Sequence, residues 1–319
     1  MTAAEAPRTC DRHDGYRHEA FFYEGAEEFM AGVVPFVRAA VAADEPILVV
    51  LGAPKIAALR EALGADAERV LFADMAAVGD NPARIIPAWQ QFLDEHGGGV
   101  RPMRGIGEPI WAGRTAAELV ECQRHEALLN IAFADPDFWL LCPYDIAALP
   151  TEVLDEARRS HPFLRDRDSA HTSGTFAGPQ TLAAPFDRAL PEPPADAEAL
   201  TVNRGSLGEV RAVVALRAAA AGLSADRTAD LVLTVNELTT NSVRHGGGYG
   251  TLRVWADAGA VVCEVRDQGR LDDPLAGRVA PSQAAEGGRG LWIANQVCDL
   301  VQIRSFADGV AVRVHQRLG

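Results

Sequence analysis

Two kinds of apolar pattern alternate along the first half of the chain. Phe29, Val33, Val37 and Val41 recur at helical spacing and predict a helix over residues 27–43, whereas the unbroken run Ile47–Leu51 after Pro46 predicts a strand buried on both faces. A turn at 52–55 leads into a helix ending at Leu63, then Val70, Leu71 and Phe72 form a second strand ending near Asp74. Residues 82–95 form a further helix, a third strand ends around 103–106, and a long helix covers 115–133. A fourth strand over 138–142 runs into Pro143, Tyr144 and Asp145. Strands alternating with helices imply an α/β domain with a mostly parallel sheet covered on both sides. Ligands in such sheets bind beyond the carboxyl ends of the strands. Those ends carry Asp74, Glu108, Trp111, Arg114, Tyr144 and Asp145, which are the candidates for a small-molecule pocket.

The pattern stops over residues 166–195, where Ser, Thr, Gly, Pro and Ala dominate. That is linker composition, long enough to leave two halves free of each other, with Phe176 and Phe186 as local docking points. A short strand near 199–202 and a helix at 206–221 follow. Ser224, Ala225, Asp226 and Arg227 then start a second helix in which Leu231, Val235 and Leu238 face a core. Glu237, Asn241 and His245 fall four apart, so the helix places all three in one polar stripe beside that apolar face, and Gly246, Gly247 and Gly248 stop it. Two hairpins, 252–255 with 261–265 and 300–303 with 310–314, flank a short helix through Leu291, Trp292, Ile293 and Val297. An antiparallel sheet faced by helices is expected. The organisation is a tail over 1–17, a first domain over 18–165, a linker over 166–195 and a second domain over 196–319.

The second domain holds a consistent chemical order. A carboxylate and an amide share the helix stripe, Asp267 and Gly269 follow a strand, and Gly287, Gly288, Arg289 and Gly290 open a helix whose N–H groups can approach a phosphate. This order resembles the ATP-binding domain of the gyrase, heat-shock chaperone, histidine kinase and mismatch-repair superfamily (GHKL, or Bergerat, fold), in particular its small anti-sigma serine kinases. The resemblance implies a two-layer α/β sandwich. It also implies ATP and magnesium as ligands, with Glu237 polarising the nucleophile, Asn241 holding Mg, Asp267 and Gly269 meeting adenine, and Gly288 and Gly290 covering the phosphates. Arg244 and His245 stand within reach of a phosphate. Magnesium prefers oxygen ligands, and phosphoryl transfer needs mostly positioning and charge neutralisation, so this residue set is chemically apt. Two positions depart from the family pattern: Leu271 stands where a second glycine is usual, and Val310 follows Gly309 where a threonine is common.

Residues 18–164 resemble the MEDS sensory domain through Phe21 to Tyr23, Gly79 with Asn81 and Pro82, Gly107 to Trp111 with Arg114, Glu121 with Glu126 to Asn130, Cys142 to Asp145, and His161 with Pro162. That resemblance implies a RecA-like three-layer fold and a sensory role with a small-molecule or protein signal, without identifying the signal. Gly52 to Lys55 lacks the Lys-Ser or Lys-Thr pair of a phosphate loop, so no ATP is assigned to this half.

Composition narrows the function classes. A net charge of -14 over 319 residues, with Lys55 the single lysine, offers no basic face for nucleic acid. From Asp196 onward 13 Arg face 14 Asp plus Glu, so most of the negative balance lies upstream. No apolar run approaches the roughly 18 residues of a membrane helix and the first residues lack a signal-peptide core, so a cytoplasmic protein is expected. Five scattered cysteines, Cys10, Cys122, Cys142, Cys263 and Cys298, form neither a disulfide framework nor a zinc motif and read as buried thiols.

The combined expectation is a bacterial signalling regulator, an anti-sigma-like ATP-binding serine kinase under sensory control. Its partners would be a sigma factor or an antagonist protein, and a homodimer stays open. The alternatives are a non-catalytic partner-switching protein with a degenerate nucleotide site, or a sensor histidine kinase with His125 as phosphoacceptor.

Overall fold

The computed structural model describes residues 15–97, 101–166, 169–178, 182, 186–257, 259–281 and 288–318. Cys10, most of the expected tail and Gly287 lie outside the described residues.

The first half builds β1 (Arg17–Tyr23), α1 (Gly25–Ala43), β2 (Ile47–Leu51), α2 (Ala53–Leu63), β3 (Leu71–Asp74), α3 (Met75–Val78), α4 (Ile85–His96), β4 (Met103–Gly107), α5 (Ala116–Ala132), β5 (Phe138–Asp145), α6 (Thr151–Ser160), β6 (Phe163–Arg165) and β7 (Ala170–Thr172). The sheet runs β3-β2-β4-β5-β1-β6-β7, parallel up to β6, with β7 antiparallel. Helices cover both faces, since an apolar core lies on each side. Ala20, Cys142 and Tyr144 belong to one and Phe21, Tyr23 and Leu141 to the other, as the two-residue alternation of strands requires. The longest boundary signal is that of α5: Thr115 Oγ1 accepts from the Glu118 N–H, and Glu118 reaches back to the Thr115 N–H at 2.8 Å, a reciprocal cap.

Three features differ from the sequence expectation. β1, placed in the interior of the sheet between β5 and β6, occupies a stretch with no strand pattern, because its polar His18 and Glu19 are fully buried and satisfied largely by side chains distant in sequence. α6 and β6 were not anticipated, and β7 falls inside the stretch expected as linker. The linker also docks. Phe186 and Leu190 are buried, Pro191 O accepts from Arg313 at 2.5 Å, and Glu192 pairs with Arg266, so the end of the linker packs on the second half, while side-chain contacts such as Arg84 with Asn295 O and Arg304 with Glu121 join the two halves.

The second half comprises β8 (Glu198–Asn203), α7 (Leu207–Ala221), α8 (Ala225–His245), β9 (Tyr249–Asp257), β10 (Ala260–Asp267), α9 (Arg289–Val297), β11 (Leu300–Phe306) and β12 (Gly309–Arg317). The antiparallel sheet runs β11-β12-β10-β9-β8. Val261, Cys263 and Val265 of β10, with Val312 and Val314 of β12, face the core under the helices. The alternate positions carry Glu264, Arg313 and Arg304, all buried against the linker and the first half. Among the described residues no helix is long and apolar enough to cross a membrane.

Candidate functional site

Glu237, Asn241, Arg244 and His245 of α8, Asp267 and Gly269 at the end of β10, and Gly288 and Gly290 at the start of α9 line one cavity of about 690 Å³. That volume lies within the range of small-ligand sites. The helical spacing of Glu237, Asn241 and His245 brings them to one wall. Val265, Leu271, Val310 and Val312 add an apolar wall on which a planar ring can rest.

Glycine at 290 allows a close approach. A Cβ there would lie 3.1 Å from Asn241 Nδ2 and 3.3 Å from Glu237 Oε2, so any side chain between the first turn of α9 and the two polar groups would press on both. Gly246 plays the same part for the aspartate, since a Cβ there would meet the Asp267 carboxyl carbon at 2.4 Å. Asp267 is held by both oxygens. Gly269 N–H donates to Oδ1 at 2.8 Å and Ser242 Oγ donates to Oδ2 at 2.5 Å, leaving a lone pair on each for a ligand amino group. Ser242 was not singled out from the sequence, although it follows Asn241 on the motif helix. In this chain the hydroxyl bonded to Asp267 comes from α8, while Val310 occupies the β12 position opposite it in the sheet.

The six candidates of the first half do not form one site. Asp74 caps α3 by accepting from the Ala76 N–H, and Arg114 donates to Pro109 O, Asp80 O and Gly79 O while stacking on half-exposed Trp111. Glu108 is buried with Lys55 Nζ at 2.6 Å and Tyr23 OH at 2.7 Å. Burial, and secondarily Asp145, push the Glu108 carboxyl up from its ordinary value, against the opposing pull of Lys55. Tyr144 and Asp145 are adjacent on a strand and so point to opposite faces. Asp145 joins Glu108, whereas Tyr144 faces a fully buried group of His18, Glu126, Cys142 and His161. Burial lowers His125 to about 3, and this ring is 1% exposed, which closes it to a phosphate donor in this fold.

Residues 17–162 match the family described as MEDS, the MEthanogen/methylotroph, DcmR Sensory domain, and residues 200–315 match the histidine kinase-like ATPase domain. The chain joins a MEDS domain to a GHKL-type ATPase domain. Among solved structures, the RsbU and RsbW domains of Rv1364c from Mycobacterium tuberculosis align over 39% of this chain and 33% of that one, at 22% identity and a TM-score of 0.30. The Acinetobacter baumannii histidine kinase AdeS aligns over 38% of this chain and 68% of its own, at 11% identity and a TM-score of 0.23. This chain thus spans about a third of the first of these proteins. No curated protein matches.

Among the described residues the MEDS domain grips the ATPase domain at three places, one of them Arg317 of β12, which pairs with Asp80 and Glu118. Asn81 and Arg84 donate to the Asn295 and Cys298 carbonyls at 2.9–3.2 Å, capping the last turn of α9. Glu121 of α5, 1% exposed, accepts from Arg278 at 3.2 Å and from Arg304 at 2.8 Å, with Arg124 at 3.8 Å. Three guanidinium groups surround one carboxylate, and burial with the repulsion of Arg124 lowers Arg278 to about 10. Arg278 lies between Gly277 and Val279, both of which line the ATPase cavity. Neither Glu121 nor Arg278 carried a local signal of this role, because their pairing spans the two domains.

Proposed function

We propose that this protein is a partner-switching regulator in which the MEDS domain controls an ATP-binding serine kinase of the anti-sigma type. The observation that carries the reading is the convergence of Glu237, Asn241, Asp267 and Gly290 on one nucleotide-sized cavity. The family implies ATP, and the residues fit it. Asp267 is oriented as an acceptor for an adenine amino group, and Gly290 leaves backbone room beside Glu237 and Asn241. The Asn241 side-chain oxygen would hold magnesium, which when bound neutralises phosphate charge.

In this reading Glu237 accepts the proton of a serine hydroxyl on the antagonist as that oxygen bonds to the terminal phosphorus and the bond to the ADP leaving group breaks. The first turn of α9 would meet the phosphates with its N–H groups, and Arg244 and His245 also line the cavity. The sensory input enters through Glu121, because the segment carrying Arg278 forms part of the cavity wall. A sigma factor released or held according to the antagonist's phosphorylation completes the switch. Incubating the protein with labelled ATP and a candidate antagonist tests the catalytic step: labelling lost in Glu237→Ala supports it, and equal labelling by both proteins refutes it.

Leu271 and Val310 favour a second reading, a binding module that keeps the nucleotide fold without catalysis, since both put apolar groups where the family pattern has glycine and threonine. Calorimetric titration separates the two, because this module gives no magnesium-dependent heat with ATP.

A further inference from the structure

In the MEDS domain four chemistry-bearing side chains from four elements meet in the core. His18 is on β1, Glu126 on α5, Cys142 on β5, and His161 just beyond α6. All are at most 1% exposed, and their ligand atoms lie within 4.8 Å of one another. His18 Nε2 is 3.1 Å from Glu126 Oε2 and 3.4 Å from Cys142 Sγ, and His161 Nε2 is 3.4 Å from Glu126 Oε2.

Hydrogen bonds fix which ring nitrogens carry protons. His161 Nδ1 faces the Ala157 carbonyl at 2.8 Å, so Nδ1 donates and Nε2 bears the lone pair. Asn130 Nδ2 donates to Ser160 O at 2.8 Å, which turns Asn130 Oδ1 to His18 Nδ1 at 3.1 Å and makes that nitrogen the donor too. Both Nε2 lone pairs therefore converge on a carboxylate whose second oxygen, Glu126 Oε1, has no partner. With both Nδ1 protons committed elsewhere, the Cys142 thiol proton cannot bond three acceptors at once. Lone pairs gathered this tightly in an apolar core are relieved by a positive centre, either a proton taken up by one of these groups or a cation held by all four.

We propose that His18, Glu126, Cys142 and His161 form a tetrahedral site for a single borderline divalent cation of the zinc class. A shell with bonds of about 2.0–2.3 Å separates its ligand atoms by about 3.3–3.8 Å, close to the shorter distances here, and the widest has to shrink by about an ångström. Two imidazoles, a carboxylate and a thiolate suit zinc and disfavour magnesium or calcium. Binding releases the thiol proton of Cys142, so the divalent charge is balanced by one thiolate and one carboxylate and the buried site is neutral. The backbone carbonyl on His161 and Asn130 on His18 supply the outer hydrogen bonds that orient metal-bound imidazoles. Glu126 shares α5 with Glu121, so a cation held here acts on the element that contacts Arg278.

The test uses the full-length protein. After chelator treatment and refolding with Zn²⁺, elemental analysis is expected to give one ion per chain. Co²⁺ in its place is expected to give the intense visible bands of a tetrahedral ion with a thiolate-to-cobalt charge-transfer band. In Cys142→Ser that band disappears, and in His161→Gln the ion is lost to a competing chelator at least tenfold more readily, circular dichroism showing that each variant is folded. Folded wild-type protein that retains no ion, or shows only weak octahedral cobalt bands, overturns the proposal without recourse to variants. A charge-transfer band that survives in Cys142→Ser overturns it as well, by placing the ion on another thiol.

Discussion

Arg278 donates to Glu121 across 157 positions of chain, tying the wall of the ATPase cavity to a helix of the MEDS domain. The carboxylate is buried among Arg278, Arg304 and Arg124, so its charge is the one that makes this part of the interface tolerable. Replacing Glu121 with Gln leaves the guanidinium groups uncompensated in a dry interface, and the cost of such a change is about 3–5 kcal/mol. Urea unfolding of the full chain measures it. Adding Arg278→Met to Glu121→Gln is expected to restore part of the loss, because one buried charge is removed with its missing partner.

Gly290→Ala pushes a methyl group to 3.1 Å from Asn241 and 3.2 Å from Glu237 Cβ without touching the cores. Thermal stability is expected to stay within a degree or so of wild type, since alanine also favours the helix. ATP affinity is expected to fall about tenfold or more, equivalent to about 1.4 kcal/mol. Isothermal titration calorimetry reads both the affinity and the magnesium dependence.

Arg84→Ala removes two hydrogen bonds from a charged donor to the carbonyls at the end of α9. Loss of charged hydrogen bonds of this kind costs about 1.5–3 kcal/mol. Differential scanning calorimetry is expected to show the single transition of the docked protein separating into two, as the domains lose a shared anchor.

His315 sits on β12 with Nε2 at 3.1 Å from Gln302, and burial together with the neighbouring Arg313 lowers it to about 4. Its ordinary value is about 6.5, so between those two values the unfolded chain binds the extra proton and stability rises with pH. Acidification from about pH 6.5 towards pH 4 therefore draws stability away at up to about 1.4 kcal/mol per pH unit for this one group. His315→Gln is expected to flatten the stability-against-pH curve by about one proton in that window, as measured by denaturant unfolding at a series of pH values.

Much of the architecture was legible in local pattern. The Ile47–Leu51 strand appeared with the expected bounds, α8 began after Ser224 and ended at the glycines, and the two hairpins with the intervening helix fell in the expected order. β1 was not legible, because His18 and Glu19 break the apolar run that marks a buried strand. Their burial is made possible by Glu126, Asn130, Arg17 and Arg165, which the fold brings to them. The expected pocket at the strand ends dispersed for a related reason: Asp74 and Arg114 serve their own loops, and the parity of β5 turns Tyr144 and Asp145 to different faces.

The sequence by itself determined the two families, the nucleotide-fold stripe of Glu237, Asn241 and His245, and the glycines that frame it, because helical spacing and turn chemistry act over a few residues. Only the tertiary structure decided that Glu121 faces Arg278, that the linker is docked, and that His18, Glu126, Cys142 and His161 share one buried point. Those relationships depend on the pairing of charges and lone pairs whose neighbours in space are remote in the chain. Periodicity carries no record of such pairing, and it is resolved when packing excludes water and leaves each buried polar group one set of partners.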